Sequence, residues 1–113
     1  MKISYEGIGQ WAATFACSDV AEGQVVKISG NGEVAACAED DNFCGVVISV
    51  GRDGQACAVA MGGMVTVPYT GDAPALGWCG LIGDGNGGVK AGNGYEYMVV
   101  DMDKSGKTVT FVL

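Results

Sequence analysis

The chain predicts an all-β fold: a small antiparallel β-sandwich or barrel of about 8–9 short strands with an extended N-terminal arm. The arm is expected over residues 1–17, and a single β-domain over residues 18–113. Three observations lead there. Glycine makes up 20 of 113 residues, about 18% against a typical ~7%. These glycines have no collagen-like period; they separate short apolar runs, where turns and bulges need positive φ. The runs themselves are short, β-type and spaced by roughly 8–12 residues. Helical periodicity is nearly absent, because the longest stretch free of Gly and Pro that might be helical, residues 10–22, is interrupted by Thr14, Ser18 and Asp19 and carries no apolar stripe.

Taken in order, residues 1–17 contain one potential strand and the aromatics Tyr5, Trp11 and Phe15. Residues 24–29 (QVVKIS) then lead through Gly30-Asn31-Gly32 to residues 33–37 (EVAAC), a hairpin with turn residues suited to positive φ. After the polar residues 39–42, residues 43–50 (FCGVVISV) place Cys44, Val46, Ile48 and Val50 on one face and Phe43, Gly45, Val47 and Ser49 on the other. Both faces are apolar or small, which predicts a strand buried on both sides. The turn Gly51-Arg52-Asp53-Gly54 leads to residues 56–61, with Cys57, Val59 and Met61 on one face and three alanines on the other. A face of alanines predicts close approach by another layer or subunit. Gly62-Gly63 joins this run to residues 64–69 in what reads as a second hairpin, and Pro68 marks an edge or a strand end. Residues 78–83, 88–91, 95–103 and 107–113 complete the series, the last two as a C-terminal hairpin.

The formal net charge is −7, and the six cationic residues, Lys2, Lys27, Arg52, Lys90, Lys104 and Lys107, are scattered. Binding to nucleic acid needs clustered cations that displace counterions, so none is expected. No run approaches the ~20 apolar residues of a membrane-spanning helix, and the N-terminal MKISYEGIGQW has no apolar signal core, so neither membrane nor export is expected. The cysteines number five, Cys17, Cys37, Cys44, Cys57 and Cys79, with no CxxC and no histidine. An odd set among small apolar neighbours reads as reduced, buried thiols in a reducing compartment.

Several segments mimic chemical motifs. Residues 83–88 (GDGNGG) match GxGxxG, but no helix follows to hold a pyrophosphate, so a glycine-rich turn is expected. Residues 101–108 (DMDKSGKT) imitate the end of a phosphate loop with Asp101 in place of its first glycine, and they begin like a calcium loop whose twelfth position would be Val112 instead of Glu. A hairpin turn is the expected structure. Asp40 and Asp41 are adjacent, so their carboxylates diverge. With no histidine to act as base, neither catalytic residues, nor a cofactor, nor a metal, nor a small-molecule substrate is expected. Among Trp11, Phe15, Tyr69, Trp78, Tyr95 and Tyr97, core packing is expected of any single ring. Ile3, Tyr5, Trp11 and Phe15 are set apart as contact residues, since an arm without its own ladder gains most by pairing with another chain.

The order of these features resembles the small capsid cement, or head decoration, proteins of tailed bacteriophages. An arm precedes VAEGQVVKI, then GEVAACAEDDNFCGVVISV, then GQACAVAMGGMVTVPYTGDAPALGWCGLIGDGNGGV, then the closing YMVVDMDKSGKTVTFVL. The matching positions are Gly23, Val25 and Val26; Gly45, Val46 and Val47; Val59, Gly63, Val65 and Val67; Gly77; and Val109 with Phe111. The chain departs from that family in its five cysteines and its lack of alanine-rich stretches. The resemblance implies a non-enzymatic protein of the virion, made in the host cytoplasm and bound to the outer surface of the mature head. Its partners would be the major capsid protein and two further copies of itself, as a homotrimer bridging capsomers. The rival expectations are a tail or baseplate module, a bacterial surface or carbohydrate-binding β-domain, and a small enzyme with a pocket around Cys44, Cys57 or Asp84.

Overall fold

The computed structural model describes residues 10–113, and all of their regular structure is strand. There are nine: β1 (Trp11–Ala16), β2 (Val25–Gly30), β3 (Glu33–Ala36), β4 (Gly45–Val50), β5 (Ala56–Gly62), β6 (Met64–Pro68), β7 (Gly77–Gly83), β8 (Val89–Asp103) and β9 (Thr108–Val112). The first five close into a barrel in the order β1-β3-β2-β4-β5, and the last four form an open sheet in the order β6-β9-β8-β7. The all-β expectation therefore holds, with barrel and sheet both present. Their pairing is antiparallel except where the barrel closes, at the parallel contact Ala16↔Glu33 between β1 and β3.

Two cores result, and the valine doublets explain how. In a strand, neighbouring side chains point to opposite faces. Val26, Val47 and Val59 point into the barrel with Cys17, Val34 and Cys57. Their neighbours Val25, Val46 and Ala60 point outward and meet Val65, Val67, Leu81, Val99, Val109 and Phe111 of the sheet. Both members of each pair are buried, in different cores. The dual burial predicted for residues 43–50 is thus right as far as Val47 and fails beyond it, where Ile48 and Ser49 are exposed. The outer core is centred on a ring trio: Phe43 stacks on Tyr97 at 5.0 Å between centroids, and Phe111 meets Tyr97 edge-on at 5.3 Å. The alanine face of β5 finds its second layer at Ala60, which lies under the sheet, while Ala56 is exposed.

Three expectations are corrected. The arm does not extend to residue 17. Trp11–Ala16 is a strand of the barrel, paired with β5 from Trp11↔Gly62 to Ala16↔Ala56. The small outward pairs Ala12↔Ala60, Thr14↔Ala58 and Ala16↔Ala56 allow this, while Phe15 turns inward. Residues 1–9 lie outside the described residues, and Ile3 and Tyr5 with them.

The run after Gly62-Gly63 is not the second arm of a hairpin. β5 pairs with β1 and β4, and β6 pairs with β9. A two-residue hairpin of the usual type I′ needs positive φ at both central residues, but only Gly63 has it, at +88°. Gly62 stays in the strand with the Trp11 indole lying where a Cβ would stand. Gly63 alone swings the chain from barrel to sheet.

Residues 88–91 and 95–103 are parts of one strand, β8. Its register against β7 jumps from Gly80↔Glu96 to Leu81↔Ala91, and the extra residues bulge around Ile82, which fills the space that side chains at Gly92 and Gly94 would need. The two other hairpins form as expected, β2 with β3 and β8 with β9.

Candidate interaction surface

The polar clusters singled out in the sequence serve the fold. Asp84 is buried, and its carboxylate accepts from the amides of Asn86 at 2.7 Å and Gly88 at 3.1 Å and from the Thr70 hydroxyl at 3.2 Å. The glycine-rich segment 83–88 is thus a turn organised around its own aspartate. Asp103 does the same in the β8–β9 turn, accepting from the amides of Ser105 and Gly106 and from the Ser105 hydroxyl. The Gly106 amide, foremost, holds the Asp103 carboxyl below the usual carboxylate range.

Asp40 and Asp41 diverge as expected. Asp41 binds Lys27 at 2.6 Å and the Ala38 amide at 2.9 Å, whereas Asp40 binds Lys90 at 2.9 Å. The Lys27 hydrogen bond lowers the Asp41 pKa and raises that of Lys27. Among the described residues, no group of three or more His, Cys, Asp or Glu side chains converges as metal ligands would.

Three thiols, Cys37, Cys44 and Cys57, are poor sources of thiolate. Burial pushes Cys37 up to about 11, and burial together with a hydrogen bond to Cys17 pushes Cys57 up to about 11. Burial also raises Cys44. Nucleophilic cysteines sit in surroundings that shift them the other way.

The unusual surface is the outer face of the sheet. Register aligns Trp78 with Met98, Met98 with Val112, and Val112 with Met64. One apolar row therefore crosses all four strands, on the face opposite the core. The neighbouring row is polar: Thr66 lies opposite Thr110, their hydroxyls 2.7 Å apart, and Thr110 opposite Asp101. At the β7 end, Trp78, Glu96, Tyr97, Met98, Val112 and Leu113 line a depression of about 290 Å³. Trp78 is 66% exposed, and so is Leu76 just before β7. An apolar strip with a polar border is the anatomy of a protein interface.

A second feature lies at the seam between barrel and sheet. A cleft of about 330 Å³ has Val46, Val47, Ile48 and Ala60 on its barrel side and Met64, Val65 and Thr66 of β6 on the other, with Gln10 and Glu22 at its rim. The Gln10 side-chain amide donates to the Met64 carbonyl at 3.3 Å.

Of the four contact residues expected from sequence, Ile3 and Tyr5 fall outside the described residues. Trp11 is 58% exposed and rests on Gly62, close to the seam. Phe15 is half-buried and packs against the barrel core, so most of its surface is already spent on its own fold. Among the other aromatics, Tyr69 and Tyr97 are core, whereas Trp78 and Tyr95 face outward. The sheet row itself was invisible in the sequence. Its four members come from four strands, and only the pairing register brings them together. No protein-family model matches this chain, and no curated protein matches it.

Proposed function

We propose that this protein is a non-enzymatic decoration, or cement, protein of a tailed-phage head, binding the outer surface of the mature shell and bridging capsomers. The observation that carries the reading is the apolar row Trp78–Met98–Val112–Met64 across the free face of the sheet. A rigid, four-strand-wide strip with an exposed tryptophan suits docking onto another protein surface, where aromatic anchors contribute most. The sequence resemblance to head decoration proteins supplies the identity of that surface, the major capsid protein, and the trimeric arrangement. A net charge of −7 suits a site outside the shell, away from packaged DNA.

The mechanism is linkage. A ligand that binds only the expanded lattice stabilises it by mass action, by about 2.7 kcal/mol per site at one hundred times its dissociation constant. Many symmetry-related copies multiply a weak contact. No reactive group is required.

The test is reconstitution. Purified protein is added to expanded heads lacking decoration, and occupancy is counted by cryo-electron microscopy. The expected result is density on the outer surface and heads that survive heating better than bare ones. Protein that stays unbound, or density confined to the tail, refutes the reading. Trp78→Asp should abolish occupancy while leaving the melting temperature nearly unchanged, because Trp78 lies outside both cores.

A further inference from the structure

Beside Trp78 stands a carboxylate, Glu96, that no described cation answers. The register pairs Trp78 with Met98 and Gly80 with Glu96, so Trp78 and Glu96 are diagonal neighbours on the outer face of the sheet. With Met98 and Val112 they line the depression of about 290 Å³ at the β7 end. The β8–β9 ladder begins at Met98↔Val112. Among the described residues, Glu96 is therefore flanked by β7 alone, and its side chain is exposed.

The described cations are engaged or distant. Lys27 is held by Asp41, and Lys90 by Asp40 and Glu39. Arg52 lies in the barrel, between β4 and β5. Lys104 and Lys107 lie in the turn between β8 and β9. From Met98 to that turn β8 runs about 17 Å, at some 3.4 Å per residue, well beyond the Debye length of about 8 Å at physiological ionic strength. What the depression offers is an indole, a carboxylate and an apolar floor. The indole attracts a cation through its quadrupole, and the carboxylate attracts it by charge. Met98 and Val112 suit the methylene stem on which lysine and arginine carry that charge. A purely apolar side chain would fill the floor but desolvate Glu96 without pairing it. An acidic or phosphate group would meet Glu96 and a net charge of −7.

We propose that this depression is the socket for a lysine or arginine side chain of a partner protein, its stem on Met98 and Val112 and its charged head between Trp78 and Glu96. That the partner is the phage shell rests on the decoration reading; the preference for a cation belongs to the socket alone. The apolar row thus asks its partner for a basic residue at the β7 end.

The experiment is an NMR titration of the full-length protein at low ionic strength. The probes are three blocked tripeptides in which two glycines flank lysine, arginine or norleucine, the last a neutral match for the lysine stem. Saturable shifts are expected at the Trp78 indole N–H and at the Glu96 and Met98 amides. The lysine and arginine peptides should bind at least about threefold more tightly than the norleucine peptide. Glu96→Gln should weaken the two cationic peptides about two- to fivefold and leave norleucine unchanged. Trp78→Leu keeps an apolar side chain without the ring, and should narrow the preference for the cation. Asp72→Asn removes an equal charge at an exposed site outside the depression, and should alter neither affinity nor preference. Norleucine bound as tightly as lysine, shifts scattered over the acidic surface, equal losses in Glu96→Gln and Asp72→Asn, or no saturable shift at Trp78 with any peptide would each overturn the proposal. Head occupancy is read separately: occupancy without cation preference refutes the socket alone, and cation preference without occupancy refutes the decoration reading alone.

Discussion

The barrel and the sheet bury their interiors with the same residues, chiefly valine, yet treat their borders in opposite ways. Closure joins the barrel's two border strands: β1 is held by β5 along its length and meets β3 at Ala16↔Glu33. Its interior is small, lined by Val26, Val34, Val47, Val59 and two cysteines. The sheet keeps two edges, β6 and β7, and leaves an apolar row on its outer face. One half closes on itself, and the other, among the described residues, leaves strand edges and an apolar strip uncovered. The shared wall of Val25, Val46 and Ala60 against Val65, Val99 and Phe111 should make the two halves one cooperative unit.

That last statement is the easiest to break. Phe111 is fully buried and touches both partners of the ring trio, so Phe111→Ala should destabilise by about 3–5 kcal/mol. In a calorimeter, barrel and sheet should still melt in a single transition. Two transitions would mean that the halves are separate domains.

Gly45→Ala attacks the barrel from within. Its Cβ would collide with the Ala60 carbonyl and a Val59 methyl. A cost of about 1–3 kcal/mol is expected from overpacking, measured by urea denaturation. Gly32→Ala has open space around the new methyl and only a positive φ to resist it, so a smaller loss there would locate the difference in packing and not in glycine as such.

The smallest effect is electrostatic. The Asp41 carboxyl is held low by Lys27. A depressed carboxylate contributes stability that is full above its ordinary pKa and is lost as pH falls through the lowered one. The pair lies at the surface, so this contribution is slight. An NMR titration should show Asp41 titrating below the usual carboxylate range, and Lys27→Ala should return it toward the ordinary value.

The fold class was legible because its signals are local. Gly30-Asn31-Gly32 between two β-type runs announces a hairpin wherever it occurs. Gly62-Gly63 looks the same on paper, but which strand its flanks join depends on partners about fifty residues away in β9 and in β1 at the other end of the chain. The end of the arm was misjudged for a similar reason: WAATFA becomes a strand only because β5 offers small residues in register. Trp78 stood out as an aromatic, and alternation along β7 sets it on the face opposite Cys79 and Leu81, but only the register to Met98, Val112 and Met64 makes it the end of a row, which no single-strand pattern encodes. Long-range register, more than composition, is what the sequence withholds.

Gly63 has a consequence for how the molecule is born. All five barrel strands precede it and all four sheet strands follow it, so a ribosome completes the barrel before any of the sheet exists. At about 5–20 residues per second, the roughly fifty residues that carry the sheet strands take some 2.5–10 s to make. Until the sheet arrives, Val25, Val46 and Ala60 lack their packing partners, an adhesive flank that chaperones, or a neighbouring chain on the same message, can reach first.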